Sequence, residues 1–274
     1  MGYPAWLRLP LVTDQATNET TGDQMPPTNR SRLTFHGPLS EERAAGFLAR
    51  LVATEPKSVL DIGCGWGELS LRLLAAAPDA TGIGIDLLVQ DLERGRALAA
   101  SRGLADRMEY LEESATGTQR GPADVVLCVG SGQALSDAPA PDQFGEALKE
   151  LHRLVNPGGR VLYGEGFWER RPQPEELARM WPGAKPDDHL PLDGMVEAAV
   201  SAGFRVEWLE VASQEEWDQF EAGYLADIEV WLAANADHPK AAELRADADR
   251  QRASYLTGYR GILGMVYLTL VPVA

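Results

Sequence analysis

The chain has 274 residues, of which 45% are hydrophobic, and a formal net charge of −16. That length and apolar content suit one domain with an elaborated edge, or one domain plus a small cap. A surface this acidic repels phosphate backbones and anionic lipid, which argues against nucleic-acid and membrane partners.

The two cysteines, Cys64 and Cys128, lie in apolar runs and offer no disulfide framework, so a reducing, cytoplasmic setting is expected. No cluster has metal-ligand spacing, so no metal is expected. The N-terminus lacks a basic region followed by an apolar core, and no apolar run approaches the ~18 residues of a membrane span.

In chain order, residues 1–12 are apolar and proline-broken, and 13–32 are polar without periodicity. Residues 1–35 therefore read as an N-terminal cap or mobile segment. Ser40 is placed to cap a helix carrying Glu41 and Glu42 in its first turn and Ala44, Phe47, Leu48, Leu51 and Val52 on one face.

From residue 57 strands and helices alternate: strand KSVLDI, helix ELSLRLLAAA stopped by Pro78, strand ATGIGIDLL, helix VQDLERGRALAASRGL closed by Gly103. Strands RMEYLEES and ADVVLCVGS come next, then helix FGEALKELHRLV, the turn NPGG and strand RVLYGEGF. Helix LDGMVEAAVSAG and strand FRVEWLEVA precede two helical stretches at about 214–257, and the chain ends in strand GILGMVYLTLVPV. The pattern predicts an α/β fold: a doubly wound, mostly parallel, seven-stranded sheet over 36–274, with a helical insertion before the last strand.

The strongest local signal is VLDIGCGWGELSLRLL, residues 59–74, where a buried strand enters a loop carrying Gly63, Gly65 and Gly67 and then a helix. Glycines there let the backbone turn sharply and approach a ligand. The next strand ends at Asp86, and adjacent parallel strands bring Asp61 and Asp86 to one edge of the sheet. An acid at the second strand end suits the ribose hydroxyls of a nucleoside. The spacing departs from the dinucleotide pattern G-x-G-x-x-G, and Asp61, two residues before the first glycine, suits an ammonium better than a pyrophosphate.

These residues resemble class I S-adenosylmethionine (SAM)-dependent methyltransferases, in the methyltransferase 11/25 branch. VLDIGCGWG is similar to their motif I and GIGID to the next, with ADVVLCVGS and LVNPGGRVLYGE matching the fourth and fifth strand motifs. The resemblance implies that Asp61, Gly63, Cys64, Gly65 and Gly67 surround the methionine part of SAM. It implies that Asp86 holds the ribose and Leu87 packs on adenine. Where relatives often carry Asp-Ala for the adenine amine, this chain has Ser114 and Ala115. Cys128, Val129, Gly130 and Ser131 would face the sulfonium side, with Ser131 toward the acceptor.

A sulfonium-bound methyl is already activated, so positioning can supply much of the catalysis, and a base is needed only if the acceptor must lose a proton. Two residues are candidates: Glu165, after the fifth strand, and His36, in the segment that commonly folds over the cofactor in this family. Trp168, Tyr224 and Trp231 are candidates for an aromatic acceptor wall. The expectation is methyl transfer to a small molecule, with O-, N- and C-methylation all open. The alternatives are a different SAM-dependent group transfer or rearrangement, and non-catalytic SAM binding.

Overall fold

The computed structural model describes residues 26–27 and 32–273. Most of the segment read as a cap or mobile stretch, 1–25 and 28–31, lies outside the described residues.

Seven strands form one sheet in the order β3-β2-β1-β4-β5-β7-β6. They are β1 (Ser58–Ile62), β2 (Thr81–Asp86), β3 (Met108–Glu112), β4 (Ala123–Val129), β5 (Val155–Trp168), β6 (Phe204–Val211) and β7 (Leu263–Pro272). The pairs β1–β2, β2–β3, β1–β4 and β4–β5 are parallel. β7 is antiparallel to both its neighbours, β5 and β6.

Side-chain alternation along the strands builds two cores. Val59, Val125, Leu127, Leu162, Met265 and Tyr267 face one layer. Against it pack α1 (Glu41–Val52), α2 (Glu68–Ala76), α3 (Val89–Ser101) and the insertion helices α7 (Gln214–Ala234) and α8 (Ala241–Ala253). Leu60, Ile62, Val126, Cys128, Val161 and Tyr163 face the other layer, made by α4 (Asp142–Leu154) and α6 (Leu192–Ser201). Leu148 and Leu151 of α4 have no solvent exposure, so truncating either to Ala costs about 2–5 kcal/mol.

The ends of the helices follow local chemistry. Ser40 caps α1 by accepting the Arg43 amide at 3.3 Å. Gly103, at φ 69°, follows α3. A short helix, α5 (Pro174–Leu177), was not visible in the apolar pattern because it buries no side chain.

The NPGG turn is not a break before β5 but part of it: Ala123 pairs Val155 and Val125 pairs Arg160, so the extra residues bulge within the strand. Gly158, at φ 80°, allows that bulge. After α8 the chain makes a π-helical turn, Ser254–Tyr259, before entering β7. Among the described residues no helix is long and apolar enough to cross a membrane, and no group of three or more His, Cys, Asp or Glu could hold a metal.

Candidate functional site

The site lies where β1, β2 and β4 end, the edge at which open α/β sheets bind ligands. β1 carries Asp61 into a loop in which Gly63, Gly65 and Gly67 all adopt positive φ, at 62°, 54° and 69°. Space is as demanding as backbone angle. A Cβ at Gly63 would fall 2.4 Å from the Ser131 Cβ, and one at Gly67 would fall 2.5 Å from the Tyr110 hydroxyl. At Gly65 it would fall 3.2 Å from His36 Nδ1.

The Asp86 carboxylate, at the end of β2, accepts the Gly65 amide at 2.8 Å and the Leu88 amide at 2.9 Å. Asp61 is 7% exposed, and the Ser70 hydroxyl donates to its carboxylate. Burial pushes the Asp61 carboxyl up to about 7, against the lowering influence of the Ser70 hydrogen bond.

A strap of residues 33–39 crosses this loop and is tied down on both sides. The Trp66 indole donates to the Thr34 carbonyl at 3.0 Å, and Arg94 donates to the Leu33 carbonyl at 3.0 Å. The Tyr267 hydroxyl donates to the Pro38 carbonyl at 3.0 Å, and the Ser40 amide donates to Glu216 of α7 at 2.9 Å. The His36 ring lies 4.2 Å from the Trp66 ring, and its Nδ1 is 4.0 Å from Asp91 Oδ2. Arg94 sits 3.8 Å from the same indole on a cation–π contact.

The cavity between strap and loop is lined by Phe35, His36, Leu39, Asp61, Trp66 and Glu68, with Val129 and Tyr267 among those completing it. Its volume is about 50 Å³, against about 300–1,000 Å³ for a typical ligand pocket.

The other residues singled out in the sequence fall into three groups. Gly63, Cys64, Gly67 and Val129 line the cavity with Asp61 and His36. The Cys64 thiol turns toward β2, where a Cβ at Gly84 would fall 2.8 Å from it, and burial raises its pKa well above the usual range. Gly130 adopts φ 67° and its amide donates to the Gly164 carbonyl at 2.8 Å.

Leu87 is exposed at the sheet edge, Ala115 is buried in the α4-side core, and Ser114 accepts the Thr116 amide at 3.2 Å. Cys128 and Ser131 are buried beneath the loop, their side chains 3.4 Å apart. Glu165 lies within β5 rather than after it and is 5% exposed. Burial pushes its carboxyl up to about 7, opposed by the backbone amides of Gly166 and Gly132.

The aromatic residues do not form a single wall. Trp168 stacks on Trp181 with ring centroids 6.1 Å apart and stands 4.9 Å from His189. Tyr224 packs on Phe220 at 6.0 Å. Trp231 belongs to a separate cluster with Leu232, Ala241 and Leu244. None of these three lines the cavity, whose wall is instead made by Leu39, Val129 and Tyr267. Tyr267 was missed because its hydrophobic strand gives no sign that its hydroxyl reaches a carbonyl 229 residues earlier.

Residues 59–159 match the methyltransferase domain family. Along 245 residues the chain is 31% identical to the uncharacterized protein YjhP of Escherichia coli K12, over 89% of this chain and 96% of that protein. A SAM-dependent methyltransferase of Geobacter sulfurreducens, solved in complex with S-adenosyl-L-homocysteine (SAH), superimposes with a TM-score of 0.77. It is 28% identical and is matched over 89% of this chain and 95% of its own. The chain belongs to the class I SAM-dependent methyltransferases.

In this methyltransferase the glycine loop and the two acids fit SAM by their chemistry. The three positive-φ glycines keep side chains out of the cradle, Asp61 offers a carboxylate to an ammonium, and Asp86 retains lone pairs for hydroxyls beyond the two amides it accepts. When bound, SAM supplies a methyl on a positively charged sulfur. The release factor glutamine methyltransferase of Bradyrhizobium diazoefficiens is 38% identical over 142 residues, which cover 52% of this chain and 46% of that protein. That likeness is confined to part of both chains and carries nothing about the acceptor.

Proposed function

We propose that this methyltransferase acts on a small-molecule acceptor held beneath the strap and the insertion. The observation that carries this reading is enclosure. Strap residues 33–39 are tied to the glycine loop through Trp66 and to the sheet through Tyr267, and Ser40 just after them is tied to the insertion through Glu216, so the strap roofs the edge where the methyl would sit. A roofed site suits a compact acceptor, and water exclusion strengthens the electrostatics of transfer. The net charge of −16 adds a general bias against polyanionic partners.

Within the site, Asp86 would receive the ribose hydroxyls, and Asp61 and the glycine loop the methionine end, with Leu87, Ser114 and Ala115 at the adenine side. His36 is the titratable side chain of the strap that lines the cavity, and it is the residue proposed to accept a proton if the acceptor loses one. The two thiols are free and at least partly buried, which fits a reducing, cytoplasmic setting.

The test is to incubate the protein with methyl-labelled SAM and a cell extract separated by size. Protein-dependent label is expected in a species other than SAM within the fraction below about 1 kDa, the range of drug-sized ligands that such pockets enclose. Label confined to protein or nucleic acid would overturn it.

A further inference from the structure

The residues between β4 and the next helix hold the glycine loop from below. The Ser131 hydroxyl, 5% exposed, donates to the Ile62 carbonyl at the end of β1 at 2.5 Å. Its Cβ occupies the space a side chain at Gly63 would need, 2.4 Å from the position of such a Cβ. Ser131 therefore fixes the last residue of β1 by a hydrogen bond and the first glycine of the loop by contact.

The next residue is held from the other side. A Cβ at Gly132 would fall 2.7 Å from Glu165 Oε2 and 3.0 Å from the Tyr163 hydroxyl, both on β5. The Glu165 carboxylate accepts the Gly166 amide at 3.0 Å, and its other oxygen packs directly against Gly132. Burial raises its carboxyl to about 7, and among the described residues no cation pairs with it. The Tyr163 hydroxyl beside it is buried and has no hydrogen-bond partner among the described residues.

An unpaired buried carboxylate is costly, and an apolar residue there would be cheaper for stability alone. What a carboxylate provides is a strong acceptor for backbone amides. Neither Glu165 nor Ser131 lines the cavity above the loop.

We propose that Glu165 and Ser131 are paired positioning residues. Glu165, fixed by the Gly166 amide, buttresses Gly132 from β5, Ser131 carries that support to Ile62 and Gly63, and the two together set the height of the glycine loop beneath SAM. The roles are those of support, not of contact with acceptor or methyl. The proposal rests on the methyltransferase assignment, and it is independent of what the acceptor is.

Titration calorimetry with SAH, alongside thermal melts of each protein, tests it. SAH binding to the wild type checks the assignment itself, and the variants then test the relay. Ser131→Ala, which removes one oxygen and keeps the Cβ against Gly63, is expected to weaken SAH three- to thirtyfold. Glu165→Ala is expected to do the same. Glu165→Gln retains an acceptor oxygen for the amides and should bind SAH within threefold of wild type. The double variant Ser131→Ala/Glu165→Ala should lose less than the product of the two single losses, because the residues act on one loop.

If Glu165→Ala does not fold, Ser131→Ala and Glu165→Gln still decide the matter. Wild-type SAH affinity in folded Ser131→Ala overturns the proposal. So does a Glu165→Gln variant that binds SAH normally but loses turnover, since that would give the carboxylate a proton-transfer role.

Discussion

Asp86 Oδ2 accepts the backbone amide of Gly65 at 2.8 Å, so the acid that ends β2 also holds the middle of the glycine loop that follows β1. One carboxylate thus shapes the loop and, on the proposed assignment, recognises the cofactor as well. Asp86→Ala is expected to weaken SAH by about 1–3 kcal/mol, the scale of lost hydrogen bonds to a charged group, and to raise amide hydrogen exchange at Gly65. Unchanged affinity in a folded variant would remove Asp86 from the cofactor site.

Gly63→Ala should be more severe than an alanine elsewhere in the loop. The residue combines φ 62° with a Cβ position 2.4 Å from another side-chain carbon, so either the backbone or Ser131 must shift. The expected cost is at least about 1–3 kcal/mol of stability, from overpacking and left-handed strain, together with loss of SAH binding. Denaturant unfolding and SAH titration would show both. A variant as stable as wild type would contradict the close contact.

The strap should open more readily once a tether is cut. Tyr267→Phe removes the hydroxyl that holds the Pro38 carbonyl and leaves the ring against Phe47, whose centroid is 5.1 Å away. The lost hydrogen bond is worth about 1 kcal/mol, so the SAH off-rate in stopped flow should rise about fivefold with little change in melting temperature. An unchanged off-rate would mean that ligand exchange does not pass beneath the strap.

The insertion carries a buried acid that should tie stability to pH. Glu221 accepts the Tyr259 hydroxyl at 2.6 Å and Gln251 at 3.0 Å, yet burial dominates and pushes its carboxyl up to about 7. An unfolded glutamate titrates near ~4.3. Between those values the folded chain keeps a proton that the unfolded chain has lost, so this contribution to stability falls as pH rises from about 4 to about 7 and is level above. Asp61 and Glu165, also raised to about 7 by burial, act in the same direction. His189, which burial lowers to about 4, acts the opposite way, losing stability as pH falls below about 6.5. Glu221→Gln should therefore gain on wild type by up to about 3 kcal/mol between pH 5 and pH 8 in denaturant unfolding. A difference independent of pH would contradict the burial of that charge.

The sequence made the cofactor half legible because its chemistry is local. Asp61, the three glycines and the run of strands and helices lie within a few residues of one another, and the acid at the end of β2 follows one strand–helix unit later. The roof over the site is set by contacts that cross the chain. Tyr267 meets Pro38 and Glu216 meets Ser40. Aromatic spacing in the insertion gave no means of telling a pocket wall from a core, and Trp231 sits in its own small cluster with Leu244. Glu165 was legible as an acid near the ligand edge but not as a buried one, because β7, the strand that flanks β5, arrives about a hundred residues later in the chain, after the long helical insertion.

The glycine loop and Asp86 are proposed to form the SAM site of this methyltransferase fold, and parallel calorimetric titrations with SAM, SAH and NAD decide it. One site per chain for SAM and for SAH, mutually competitive, with no heat from NAD, is the expected result. Binding of NAD, or of none of the three, would contradict it.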